Sequence, residues 1–395
     1  MSAPGLELEA VLAEAQRRAG LDDFGDPAFL EPLERLLRSL REEARLSDVG
    51  RAMQFERNVG LLVGRLRTEQ AYRRHPEIAD EPLARPLVIV GLARTGTTML
   101  HRMLASDPRW LALLWYESRN PAPLPGTDLA GDPAADPRVA DAEAEVAAML
   151  EGAPDLIAAH PMDAHAPDEE IMLVEHAFTS WNPEAFCRVP GYAGWLETVD
   201  LRPGYRYLTR LLRFLQWQKR RRGITAERWV LKAPYHLGSL DALFEALPDA
   251  RVVMTHRDPV QTIPSFASMV RTLHVLGSED VDAGEIASHW SGKWARALER
   301  AIAARASREH RFLDVYYEEL VADPMAQVRR IYAHADLPLT AEAEAGMRAW
   351  AVENERDRRP VHAYTLEEFG YTREGLRREF TAYWERFLAT RAGET

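Results

Sequence analysis

The chain has 395 residues, 46% of them hydrophobic and 28% charged, with a formal net charge of −12. This is ordinary globular composition, long enough for one large α/β domain with additions or for two domains, and its acidity argues against nucleic acid as a partner. A single cysteine, Cys187, excludes an intrachain disulfide framework and a cysteine-rich metal site.

The N-terminal residues carry Glu7, Glu9 and Glu14 and no unbroken apolar run, so no signal peptide is expected. No stretch reaches the roughly 18 uncharged apolar residues of a membrane span. The expectation is a soluble, cytoplasmic protein.

In chain order, Leu6 to Ala19 reads as an amphipathic helix. Asp26-Pro27 supplies an N-cap and first-turn proline for a second helix through Glu43, and Arg51 to Tyr72 gives a third. Residues 1–82 are therefore predicted to be a helical extension, serving as a packing layer or as the surface of a homo-oligomer. Residues 83–395 form the main domain. It opens with Pro86-Leu-Val-Ile-Val-Gly91-Leu-Ala-Arg94-Thr95-Gly96-Thr97-Thr98-Met99. The run Leu87–Val90 has the character of a strand buried on both faces of a parallel sheet. A turn with two glycines follows, and then apolar spacing of helical period at Met99, Leu100, Met103 and Leu104. Strand, glycine turn and helix are how backbone N–H groups and a helix N-terminus hold a phosphate. Thr97 stands where a Walker lysine would be.

Trp110 to Trp115 is a second apolar run, followed by Tyr116-Glu117-Ser118. The Pro/Gly/Asp-rich stretch 118–138 and the aromatic stretch 160–195 are expected to be mobile loops, lids or walls of an acceptor pocket. Glu169 and Glu170 precede a helix, and read as its caps or as substrate contacts. Tyr205–Arg222 is a helix whose basic last turn, Lys219 to Arg222, suits the helix dipole and is expected to be solvated. Trp229–Lys232, Arg251–His256 and Arg311–Tyr317 read as further strands alternating with helices. The prediction is an α/β fold, a P-loop-like open parallel sheet flanked by helices with right-handed crossovers, ending in a helical tail over 356–395. In such sheets ligands sit at the carboxyl ends of the strands. The polar clusters Arg94–Thr98, Lys232–His236 and His256–Ser265 all fall there. His256 itself reads as a packed strand-end histidine.

Gly91-Leu-Ala-Arg94-Thr-Gly-Thr-Thr98 resembles the 5′-phosphosulfate loop of sulfotransferases that use 3′-phosphoadenosine 5′-phosphosulfate (PAPS). Arg257, with Ser265 eight positions on, resembles their 3′-phosphate motif, and Tyr316-Tyr317-Glu-Glu-Leu320 resembles the segment whose tyrosine lies near adenine. The likeness covers roughly residues 86–340. It implies PAPS as co-substrate and 3′-phosphoadenosine 5′-phosphate (PAP) as product, held by Gly91, Arg94, Thr95, Gly96, Thr97, Thr98, Arg257, Ser265 and Tyr317. A guanidinium can grip a phosphate dianion bidentately. Arg94 or Lys232 would stabilise charge on the leaving oxygen, and no metal is expected.

Two candidates compete for the general base. His236 is preferred because imidazole titrates near neutrality, although it lies four positions after Lys232 where cytosolic members place their histidine two after. Glu117, 23 positions after Arg94, resembles the base of the protein-tyrosine branch. Arg94, where cytosolic members carry lysine, and Met99 in place of their adenine-stacking tryptophan also lean towards that branch. Arg356, Arg358 and Arg359 stand in for the family's C-terminal basic loop. The acceptor reads as an apolar small molecule or lipid. The competing functions are a P-loop kinase using ATP and magnesium, and a non-catalytic nucleotide-binding protein.

Overall fold

The structure, a computed structural model, describes residues 5–152, 162–226, 228–354 and 364–391. Five strands form one sheet: β1 (Leu87–Gly91), β2 (Trp110–Leu111), β3 (Arg228–Lys232), β4 (Arg251–His256) and β5 (Phe312–Tyr316). Their order is β2-β3-β1-β4-β5, and every pairing is parallel. Strand β1 lies at the centre, with Ile89 opposite Lys232 of β3 and Gly91 opposite Thr255 of β4. The chain therefore leaves β1 to one side and returns to its other side, which makes the carboxyl end of β1 the topological switch point.

The period of two along β1 sorts its side chains into two layers. Leu87 and Ile89 join Leu100, Leu104, Val328 and Ile331, whereas Val88 and Val90 join Leu62, Leu211, Leu215 and Trp294. Both layers are apolar, which is why β1 is a continuous hydrophobic run and not an alternating one.

The helical extension consists of α1 (Leu8–Ala19), α2 (Leu30–Glu42) and α3 (Asp48–Arg74). Ser47 caps α3 by accepting from the Gly50 N–H at 3.0 Å. Val11, Leu33, Leu37 and Leu62 are wholly buried in the same core as Val88 and Val90, so the extension is a packing layer of the main domain. No helix among the described residues is long and apolar enough to cross a membrane.

Several expectations are corrected. Only Trp110–Leu111 of the second apolar run is a strand, and α5 (Trp115–Arg119) follows. Stretch 162–195 carries three short helices, Ile171–Glu175, Asn182–Phe186 and Pro190–Leu196. Phe178 and Tyr192 are wholly buried there, so it is part of the core and not an open loop. Tyr317–Ala322 is a helix, and Ala341–Glu353 is one the sequence reading left out. Arg356, Arg358 and Arg359, and most of the tail's loop, lie outside the described residues.

Stretch 118–138 is clamped at its end. Arg138, 1% exposed, pairs with Asp136 at 2.7 Å and donates to the Asn120 carbonyl at 2.9 Å. Arg222 donates to the same carboxylate at 2.5 Å, so the end of helix Arg202–Arg221 is tied to the loop there, while Arg220 and Arg221 stay exposed as expected. Burial pushes the Asp136 carboxyl up, but Arg138 and Arg222 outweigh it and hold it down at about 2. A carboxylate depressed in the fold stabilises above its unfolded pKa and loses that contribution as pH falls through the folded value. The clamp is therefore expected to contribute about 1–2 kcal/mol at neutral pH that fades between roughly pH 4 and 2. Urea midpoints of wild type and Asp136→Asn should differ at pH 7 and converge towards pH 2. A gap that stays constant across that range would contradict this assignment.

Candidate active site

The turn after β1 takes its shape from three residues with positive φ: Gly91 (+149°), Arg94 (+70°) and Gly96 (+86°). A Cβ at Gly91 would sit 2.7 Å from the Thr255 carbonyl oxygen, so only glycine lets β1 and β4 lie this close. The Thr95 hydroxyl is turned inwards, donating to the Leu92 carbonyl at 2.6 Å, and lies 2.6 Å from Thr255 Oγ1. Thr95 was assigned to the nucleotide, yet its buried side chain shapes the loop, and only its backbone remains for a ligand. The next helix, α4, runs Thr97–Leu104. Its first N–H groups have no intrahelical partner, which is the physical basis of an anion site.

Arg257 follows β4 directly. Its Nη1 donates to the Arg94 carbonyl at 2.9 Å, its Nε donates to Gln261 at 3.0 Å, and its guanidinium lies 4.0 Å over the Tyr317 ring. Tyr317 reaches the loop as well, since a Cβ on Gly96 would meet its ring at 3.3 Å. Arg257, Tyr317 and the glycine turn are thus one contiguous surface. Ser265 lies nearly buried in helix Pro259–Val275, whose N-terminus is capped by Asp258 accepting from the Val260 N–H at 2.9 Å. His256 is packed as expected, 2.8 Å from Asp314 and 3.0 Å from the Tyr383 hydroxyl.

Lys232 closes β3. Its Nζ donates to Thr98 Oγ1 at 3.3 Å and, through a very short contact, to Glu169 Oε1. Its backbone N–H donates to Glu170 Oε2 at 2.8 Å. Segment 166–168 is laid along the chain after β2, with the Asp168 N–H bonded to the Leu113 carbonyl at 2.8 Å and the Trp115 N–H to the Ala166 carbonyl at 3.0 Å. That pairing carries Glu169 and Glu170 to the end of β3. The two adjacent carboxyls behave differently. Burial raises Glu169 above the ordinary carboxylate range, and the Lys232 charge only partly opposes it. Burial also acts on Glu170, but the hydrogen bond from His236 leads the forces that hold it low.

Of the two proposed bases, His236 belongs to this network and Glu117 to a separate one. His236 is fully buried, with Nε2 2.7 Å from Glu170 Oε1 and Nδ1 2.7 Å from the Tyr205 hydroxyl. Glu117 is 3% exposed. Both of its oxygens accept from Lys219 Nζ, at 2.6 and 2.7 Å, and Oε2 also accepts from the Leu114 N–H at 3.0 Å. The structure thus gathers Arg94, Thr97, Thr98, Lys232, Arg257 and Tyr317 around the carboxyl ends of β1, β3 and β4. Glu169 joins them through its contact with Lys232. Two consecutive acids before a helix look like caps, and no local pattern shows that one of them folds onto a strand-end lysine.

The comparisons with known proteins agree with this geometry. A model of the Sulfotransferase family matches residues 86–341. The omega-hydroxy-beta-dihydromenaquinone-9 sulfotransferase Stf3 of Mycobacterium tuberculosis is 28% identical over 260 residues, a match covering 64% of this chain and 63% of that protein. Protein-tyrosine sulfotransferase A of Caenorhabditis elegans is 30% identical over 116 residues, 29% of each chain. Among solved structures, sulfotransferase STF1 from Mycobacterium tuberculosis H37Rv superposes with a TM-score of 0.83 at 33% identity, covering 96% of this chain and 100% of that one. Sulfotransferase STF9 from Mycobacterium avium gives 0.86 at 30% identity, covering 97% of both. With the family's match spanning the glycine turn, Lys232, Arg257 and Tyr317, the chain belongs to the sulfotransferase family.

Proposed function

We propose that this protein moves a sulfuryl group from PAPS to a hydroxyl of a small or lipid-like acceptor by in-line displacement. The observation that carries the reading is the joining of the glycine turn to Arg257 and Tyr317 on one surface, with Lys232 at its edge. The turn amides, Thr97, Thr98 and Arg94 suit the 5′ phosphosulfate. Arg257, whose Nη2 makes no hydrogen bond among the described residues, suits the 3′-phosphate, with Ser265 in the helix Pro259–Val275 that follows it. Tyr317 offers a ring beside the loop for adenine. Thr97 in place of a Walker lysine supports PAPS over ATP.

A lipid-like acceptor is supported by the menaquinone-derived substrate in the name of the mycobacterial relative. It is also supported by a methionine-rich apolar cluster of Met149, Met162, Met269, Leu273 and Phe186, since unbranched thioether side chains adapt to long apolar ligands. A cytoplasmic location fits this donor and remains part of the proposal, as does a homo-oligomer.

Titration calorimetry separates this reading from a kinase. PAP is expected to bind at least about tenfold more tightly than ADP with magnesium, because a charge-assisted phosphate contact is worth roughly 1.5–3 kcal/mol. Tighter binding of ADP would sink it. Transfer of labelled sulfuryl from PAPS then separates an enzyme from a non-catalytic binding protein.

A further inference from the structure

Three acids are candidates for the base, and the structure treats them differently. Glu117 has both oxygens closed by Lys219 and a backbone N–H. Glu170 spends one oxygen on His236 and the other on the backbone of Lys232, and is wholly buried. Glu169 is the one that keeps a fifth of its side chain exposed. It is also the one that shares a lysine ammonium with a hydroxyl of the nucleotide loop.

The geometry points to Glu169 as the general base of the transfer, an inference that rests on the sulfotransferase reading. Lys232 Nζ touches Thr98 on one side and Glu169 on the other. An anion seated at the start of α4 therefore has the ammonium beside it and the carboxylate just beyond. A hydroxyl attacking sulfur from that side reaches Glu169 with its proton. The acceptor oxygen forms a bond to sulfur as the bond from sulfur to the bridging phosphate oxygen breaks. The electron pair stays on that oxygen, giving PAP, where Lys232 can meet the charge. The acceptor proton passes to Glu169 Oε1 or Oε2. Atoms and charge balance without a metal or redox partner.

The buried pair His236–Glu170 then has a positioning role. Glu170 clasps the Lys232 N–H, and His236 with Tyr205 behind it fixes Glu170. This holds the strand end carrying Lys232 against the segment carrying Glu169. The charged and titratable groups around Glu169 are Lys232 on β3, its neighbours Asp168 and Glu170, and Arg119, which lies 3.6 Å from Asp168. Burial raises the Glu169 carboxyl above the ordinary carboxylate range, which makes it a better proton acceptor than an exposed glutamate, while the Lys232 charge partly opposes that rise.

The test compares wild type, Glu169→Gln and Glu169→Asp. The readouts are PAP affinity by calorimetry and release of labelled sulfuryl from PAPS to dodecanol in detergent, or to water. Glu169→Gln is expected to lower kcat by roughly 10²–10⁴-fold with PAP affinity within about threefold of wild type. Its kcat should also lack the acid-side decline expected of wild type. Glu169→Asp should recover part of the rate and keep that decline. A Gln variant retaining more than about a tenth of wild-type kcat, one with the acid limb intact, or one that no longer binds PAP overturns the assignment. A wild-type protein that neither binds PAP nor releases sulfuryl overturns the sulfotransferase reading itself, a separate outcome.

Discussion

Replacing Lys219 by methionine is expected to destabilise the protein by about 3–5 kcal/mol, the range found when one partner of a buried ion pair is removed. The lysine side chain is 7% exposed and the Glu117 side chain 4%. The methionine fills the volume but leaves a buried carboxylate whose remaining hydrogen bonds are the Leu114 N–H and a longer approach from the Tyr116 hydroxyl, with the Arg222 charge nearby. Urea unfolding followed by circular dichroism measures the loss. The double variant Lys219→Met/Glu117→Gln should regain a good part of it, because the buried charge is gone. Its kcat per folded molecule should stay close to wild type. A double variant that is well folded and inactive would return the proton-accepting role to Glu117.

Lys232→Met is expected to lower kcat by roughly 10²–10³-fold, the usual cost of removing one preorganised charge from a transition state. On the proposed reading Lys232 meets the charge left on the 5′-phosphate oxygen of PAP, so PAP affinity is expected to fall as well, but by less than kcat. The pH profile carries a second signature. Lys232 pulls the Glu169 carboxyl down against burial, so without it the carboxyl titrates higher still. The acid-side decline of the residual rate should therefore move to higher pH. Rates from stopped assays between pH 5 and pH 8 would check this, and a shift to lower pH, or none, would contradict the coupling of the two residues. Losses from Lys232→Met and Glu169→Gln should also combine less than additively, since they act on one proton transfer and one leaving charge.

The parts legible in the sequence are those whose signal is local. A doubly buried strand shows as Leu87–Val90 because both faces meet apolar layers, and the glycines mark where backbone must approach backbone. Arg257 was recognisable because it follows a strand directly, and the strand ends of a parallel sheet share one rim. What the sequence did not show depends on residues far apart. Lys219 to Arg222 looked like a solvated helix end because the helix dipole alone accounts for basic residues there. Their real partners, Glu117 and Asp136, lie 102 and 86 positions away. His236 was preferred on intrinsic pKa, but intrinsic pKa says nothing about access, and the imidazole is enclosed between Glu170 and Tyr205. Glu169 suffered the converse error, since a common helix-end pattern hid its contact with a strand 63 positions on.

The Glu117–Lys219 pair has a wider meaning. It joins the two ends of a long excursion that leaves the sheet after β2 and returns just before β3. Arg94, Thr98, Lys232 and Arg257 all lie outside that excursion, whereas Glu169 and the aromatic stretch 178–195 lie inside it. The molecule is thus divided like a handle and an interchangeable tool head. On the proposed reading the sheet's own turns hold the donor, and a cassette tied at its neck by the Glu117–Lys219 and Asp136–Arg222 pairs carries Glu169 to the acceptor side. On that reading, change within the cassette away from Glu169 and Glu170 is expected to alter which hydroxyl is taken more than how the nucleotide is held.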